Sequence, residues 1–160
     1  YGDHRELHLS IRRQRQMCIR DSIDPRVTYI IKDILREALM RGTNRRKVQV
    51  LNRKDIAGKT GTTNDAISTW FSGFHDDLVT TVWVGTDDFT SLGDKEYGSS
   101  IALPIWVDYM SLALNDLPKS KIKIPSGISY VRVNKSTGDI AGPDDKSTYF
   151  ELFLNENISD

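Results

Sequence analysis

At 160 residues with 38% hydrophobic side chains, the chain can bury one modest core and is compatible with a single compact domain. Lys plus Arg and Asp plus Glu number 22 each, so net charge argues for neither nucleic acid nor an anionic membrane as the main partner. The lone Cys18 excludes an intramolecular disulfide framework, and no apolar run approaches the roughly 20 residues that span a bilayer.

Residues 1–22 are arginine-rich, and the run from Arg12 to Ser22 reads as non-native or disordered sequence ahead of a native chain that continues upstream. A short solvated helix or a basic arm are the lesser readings. His4 and His8 have helical ligand spacing but lack a third ligand, so no metal site is expected. Asp24 is placed to cap a helix whose first position is Pro25, where a missing N–H costs nothing. Val27, Ile30, Ile31, Ile34, Leu35, Ala38 and Leu39 recur at helical spacing and predict an apolar stripe against the core. Arg26, Lys32, Asp33, Arg36 and Glu37 are then expected to face out, and Gly42 to stop the helix. Residues 42–47 read as a solvated basic loop, with attraction of an anionic peptide by Arg45 or Arg46 as the lesser reading.

A strand-like stretch, residues 53–58, leads into Lys59-Thr60-Gly61-Thr62-Thr63. A cation, two small hydroxyl side chains and a glycine in a strand make a cleft wall suited to a substrate carboxylate and carbonyl. Residues 69–75 and 78–85 follow, joined by a short turn at Asp76 and Asp77, which predicts an antiparallel hairpin. Val79, Val82, Trp83 and Val84 suggest a strand covered on both faces. Trp70, Phe71 and Trp83 are expected in the core, and His75 at the exposed hairpin tip. After the loop 87–98, Pro104 sits near a helix start, with Ile105, Trp106, Tyr109 and Met110 predicted to share a face. Beyond Asn115 the chain reads as a linker. Residues 128–134 alternate like a strand that residues 148–153 can pair with, giving a small β tail. The expected organisation is therefore 1–22, a main part 23–115, and a linker with tail 116–160.

Asp55-Ile-Ala-Gly-Lys-Thr-Gly-Thr-Thr-Asn64, Thr69-Trp-Phe-Ser-Gly-Phe74 and Val79-Thr-Thr-Val-Trp-Val-Gly-Thr-Asp-Asp88 resemble the C-terminal part of the transpeptidase domain of class A penicillin-binding proteins. The resemblance runs from about Ile23 to about Phe153. It implies an α+β class: a partial penicillin-binding protein/serine β-lactamase-like fold, with antiparallel strands flanked by helices. It also implies a parent that cross-links peptidoglycan stem peptides through a serine acyl-enzyme, binds β-lactams, and carries a glycosyltransferase domain. That parent would act at the extracytoplasmic face of the bacterial cytoplasmic membrane, anchored upstream, as a possible homo-oligomer, with no cofactor and no nucleic-acid partner.

By the resemblance, Lys59 supplies positive potential, and Thr60 and Thr62 donate to the terminal carboxylate of a D-Ala-D-Ala stem or a β-lactam. Gly61 lets the substrate approach, the Thr62 N–H is one oxyanion donor, and Thr63, with Asn64 beside it, extends the binding wall. The family's nucleophile lies in a Ser-x-x-Lys motif and is accompanied by Ser-x-Asn. This chain has no Ser-x-Asn. Its one Ser-x-x-Lys, Ser120 to Lys123, lies in the linker and reads as accidental, so no nucleophile is assigned and the chain alone is expected to be inactive. The alternatives are another serine D,D-peptidase or β-lactamase of the same superfamily, and a non-catalytic cell-wall-binding module.

Overall fold

The structure, a computed structural model, describes residues 23–158. The elements in chain order are helix α1 (Pro25–Arg41), helix α2 (Arg45–Val48), strands β1 (Ala57–Thr62), β2 (Ser68–His75) and β3 (Leu78–Gly85), helix α3 (Ala102–Ala113), and strands β4 (Ile128–Asn134) and β5 (Thr148–Leu154). The antiparallel sheets with flanking helices give the expected α+β class. The chain divides into two compact units, Ile31–Lys123 and Tyr1–Ile30 with Ile124–Asp160. The segment with His4, His8 and Cys18 lies outside the described residues.

In the unit Ile31–Lys123, the sheet order is β1-β2-β3, so β1 is an edge strand among the described residues. The register pairs Lys59 with Ser72, Gly61 with Trp70, and Trp70 with Trp83. α3 covers the opposite face of the sheet. Phe71 and Trp106 stack there with ring centroids 4.8 Å apart, tilted by 57°, and the Trp106 indole N–H donates to the Thr80 carbonyl at 3.2 Å. Gly73 permits this approach: a Cβ at that position would lie 2.5 Å from the Trp106 ring. Leu39, Val48, Ile56, Leu103, Val107 and Met110 complete the core. Such a tilted aromatic pair contributes about 0.5–1.5 kcal/mol beyond its area burial.

The helix start at Asp24 forms as expected, with its carboxylate accepting the Arg26 backbone N–H at 2.8 Å. Four other expectations are corrected. Among the described residues of α1 only Leu39 is fully buried, while Ile31 and Ile34 are 48% and 54% exposed. Asp33 and Arg36, expected outside, are the better-buried pair, because the ion pairs of Arg36 with Asp33 and Glu37, and of Lys32 with Asp76, draw that polar face inward. Phe71 is buried, but Trp70 and Trp83 are 43% and 48% exposed, since β3 alternates and only one sheet face meets α3. On α3, Trp106 and Met110 are buried with Ala102, Leu103 and Val107, whereas Ile105 and Tyr109 are about half exposed. The basic loop is partly helical: α2 takes up its second half, with Val48 buried in the core, and a 3₁₀ turn, Gln49–Leu51, follows.

In the other unit, β4 pairs with β5 from Ile128↔Leu154 to Asn134↔Thr148, which forms the expected β tail. Val133 and Leu152 are its buried residues. Arg26 bridges Asp24 and Glu156.

Candidate functional site

β1 carries Lys59, Thr60, Gly61 and Thr62 along the sheet edge. Alternation in a strand puts Lys59 and Gly61 on the side of Trp70, where a Cβ at Gly61 would meet the Trp70 Cβ at 3.3 Å, and Thr60 and Thr62 on the other. Lys59 is exposed, and its ammonium bends back along the strand to donate to the Thr60 carbonyl at 3.3 Å. Thr62 is exposed, and its Oγ1 accepts the Gly98 backbone N–H at 3.0 Å. The Thr63 hydroxyl donates to the Ser68 carbonyl at 3.1 Å and accepts the Ser68 N–H at 2.8 Å, which closes the turn between β1 and β2.

That turn is strained. Asp65 and Ala66 both take left-handed conformations, φ 57° and 50°, which side chains with a Cβ rarely adopt. A recess of about 470 Å³ opens beside it, lined by Thr62, Thr63, Asp65, Asp94, Lys95 and Tyr97 among others. The wall therefore continues past Thr62 into a pocket with hydroxyl groups, both signs of charge and one aromatic ring. Asn64 begins the 3₁₀ turn Asn64–Ala66 at its edge.

A second polar cluster lies at the foot of β1, where the sequence suggested only more strand. Arg53 and Asp55 are buried, and so is His75, which corrects its placement at an exposed hairpin tip. The Arg53 guanidinium uses all five N–H donors: Nε and Nη2 on the two Asp55 oxygens at 2.9 Å each, Nη1 on the Leu114 and Leu117 carbonyls, and Nη2 on the Pro118 carbonyl. Ser120 joins them, its N–H on Asp55 Oδ2 at 2.6 Å and its hydroxyl 2.8 Å from His75 Nε2. Burial pushes the Asp55 carboxyl up, but the hydrogen bonds from Arg53 and the Ser120 N–H outweigh it and hold the group below its ordinary range. Lys32, with help from Ser120, does the same for Asp76.

Ser120, His75 and Asp55 invite comparison with a hydrolytic triad, but the hydrogen bonds oppose it. His75 Nδ1 accepts the Asp77 N–H at 3.3 Å, while Nε2 lies 2.8 Å from the Ser120 hydroxyl and 3.1 Å from Arg53 Nη2. The nitrogen facing the hydroxyl is crowded by the Arg53 cation, and Asp55 sits on that same nitrogen, 3.3 Å away, instead of orienting the far one as a triad carboxylate does. Lys123 is exposed, so Ser120 to Lys123 does not form an enclosed Ser-x-x-Lys site. Arg45 lines a separate open groove with Arg36, Arg41 and Lys54, while Arg46 does not line it.

Comparison with known proteins gives a consistent picture. Penicillin-binding protein 1A of Pseudomonas aeruginosa is 48% identical over 135 residues, 84% of this chain and 16% of that protein. The proteins of the same name from Neisseria lactamica and Neisseria gonorrhoeae are 48% and 47% identical over 107 residues, 67% of this chain and 13% of theirs. The 2.6 Å crystal structure of penicillin-binding protein 1A from Haemophilus influenzae is similar with a TM-score of 0.75 at 35% identity, across 82% of this chain and 20% of that one. No protein-family model matches the chain. This chain thus spans about one sixth or less of the length of these curated relatives.

Proposed function

Because this chain belongs to the class A penicillin-binding proteins, we propose that it forms the Lys-Thr-Gly wall of a D,D-transpeptidase site that cross-links peptidoglycan through a serine acyl-enzyme. The observation that carries this reading is the exposed edge strand with Lys59, Thr60 and Thr62 beside an open recess. Thr60 and Thr62 donate to the substrate's terminal carboxylate, and Lys59 adds positive potential that favours that anion. Gly61 keeps the edge clear for the substrate backbone, the Thr62 N–H faces the oxyanion of the tetrahedral intermediate, and Thr63 contributes through the recess that it lines. The attacking serine, its base and the second oxyanion donor come from Ser-x-x-Lys and Ser-x-Asn motifs elsewhere in the whole protein, which acts outside the cytoplasmic membrane and also polymerises glycan.

Fluorescent penicillin tests the assignment. The whole protein is expected to be labelled covalently and the 160-residue chain alone to remain unlabelled, because no residue of this chain is assigned as nucleophile. Thr62→Val in the whole protein is expected to slow acylation roughly tenfold to a hundredfold, the loss typical of one hydrogen bond to a charged group. Normal labelling of that variant, or labelling of the isolated chain, overturns the assignment.

A further inference from the structure

Gly98 is buried although it lies in the loop between β3 and α3. A Cβ at this position would fall 2.5 Å from the Trp70 carbonyl oxygen and 2.6 Å from that of Gly61, and both contacts are backbone atoms of the sheet that cannot swing aside. The loop is held there from the other side as well. The Gly98 carbonyl accepts the Leu103 N–H at 2.8 Å at the start of α3, and the Tyr97 carbonyl accepts the N–H groups of Ser100 and Ile101 at 2.9 and 3.1 Å. The outcome is one directed contact, the Gly98 N–H on Thr62 Oγ1 at 3.0 Å.

A threonine hydroxyl has one proton and two lone pairs. The Gly98 N–H occupies a lone pair, so the hydroxyl proton points elsewhere, and Thr62 Oγ1 has no other hydrogen-bond partner among the described residues. We propose that Gly98 is a positioning residue: its N–H fixes Oγ1 of Thr62 so that the hydroxyl donates outward to a substrate carboxylate. This rests on the transpeptidase reading above, and it makes the loop before α3, as well as β1, a determinant of carboxylate recognition. Only glycine places the N–H in line, because any side chain forces the loop off the strand.

The test measures acylation of the whole protein by a penicillin and by its uncharged methyl ester, for wild type, Gly98→Ala, Thr62→Val and the double variant. Gly98→Ala is expected to lose roughly tenfold with the acid and far less with the ester, and the double variant to be no slower than Thr62→Val alone. Equal losses on both probes, or additive losses in the double variant, assign Gly98 a merely structural role and overturn the proposal. Absence of wild-type acylation by the acid overturns the transpeptidase reading, and the role of Gly98 with it. If Gly98→Ala does not fold, amide hydrogen exchange decides. Exchange at Gly98 should accelerate at least tenfold in Thr62→Val but stay near wild type in Thr62→Ser, and unchanged exchange in Thr62→Val overturns the proposal.

Discussion

Arg53 illustrates what a single buried residue does here. Its guanidinium ties Asp55, just ahead of β1, to the carbonyls of Leu114, Leu117 and Pro118, just beyond α3. Removing the cation leaves Asp55 buried and unpaired, so Arg53→Met is expected to lower stability by about 3–5 kcal/mol in urea denaturation. A loss under 1 kcal/mol would show that the cluster is dispensable. Asp55 also gives the acid response its sign. Its folded proton affinity is depressed, so its contribution is complete above the unfolded carboxylate value of about 3.9 and disappears as pH falls through the lower folded value. Asp55→Asn should therefore be less stable than wild type at pH 7, and the gap should narrow toward pH 3. A gap that widened with acid would contradict the pairing. Thr69 presents the opposite case: it is fully buried, and its hydroxyl has no hydrogen-bond partner among the described residues. Thr69→Val, nearly the same shape, is expected to raise the melting temperature, with a gain of about 1 kcal/mol.

At the scale of elements, α1 depends on its cap and β1 on its neighbours. Asp24 accepts the Arg26 N–H in the first turn, where helix N–H groups otherwise lack partners, so Asp24→Ala should lower the melting temperature in thermal denaturation. Because Arg26 also engages Asp24 through its side chain, an Arg26→Gln control separates the exposed ion pair, expected to contribute little, from the cap. The pairing of β2 with β3 was legible, since two strand-like runs separated by two aspartates leave few other solutions, but the exposed face that carries Trp70 and Trp83 was not. Residues 53–56 were not. Their alternation resembles more strand, and only the carbonyls beyond α3, some 60 residues later, explain why an arginine is buried there. Gly98 escaped notice for the same reason, as a loop glycine does not announce which backbone it will touch.

Across the whole molecule, apolar exposure is the main liability. Ile31, Ile34, Trp70, Val79 and Trp83 are between 43% and 75% exposed in the unit Ile31–Lys123. Of these, Trp70 and Trp83 adjoin, with ring centroids 6.1 Å apart, and exposed apolar surface of this kind promotes association in a chain that stands alone. The 160-residue chain is therefore expected to bind a hydrophobic reporter dye and to self-associate with rising concentration. A monodisperse monomer without dye binding by light scattering and fluorescence would count against that. No helix among the described residues is long and apolar enough to cross a membrane.

The sequence by itself determined the two long helices and the five strands, though not α2 or the start of β1, and with them the α+β class and the strand that holds Lys59, Thr60, Gly61 and Thr62. These follow from local periodicity, capping chemistry and the run of neighbouring residues around Lys-Thr-Gly, all of which are carried by short stretches of chain. Which side of each element meets the core was decided only by the tertiary structure. So were the burial of Arg53, Asp55 and His75 and the contact of Gly98 with Thr62. Those outcomes depend on groups up to 65 residues apart that must satisfy one another once water is excluded, and local sequence does not encode such a match.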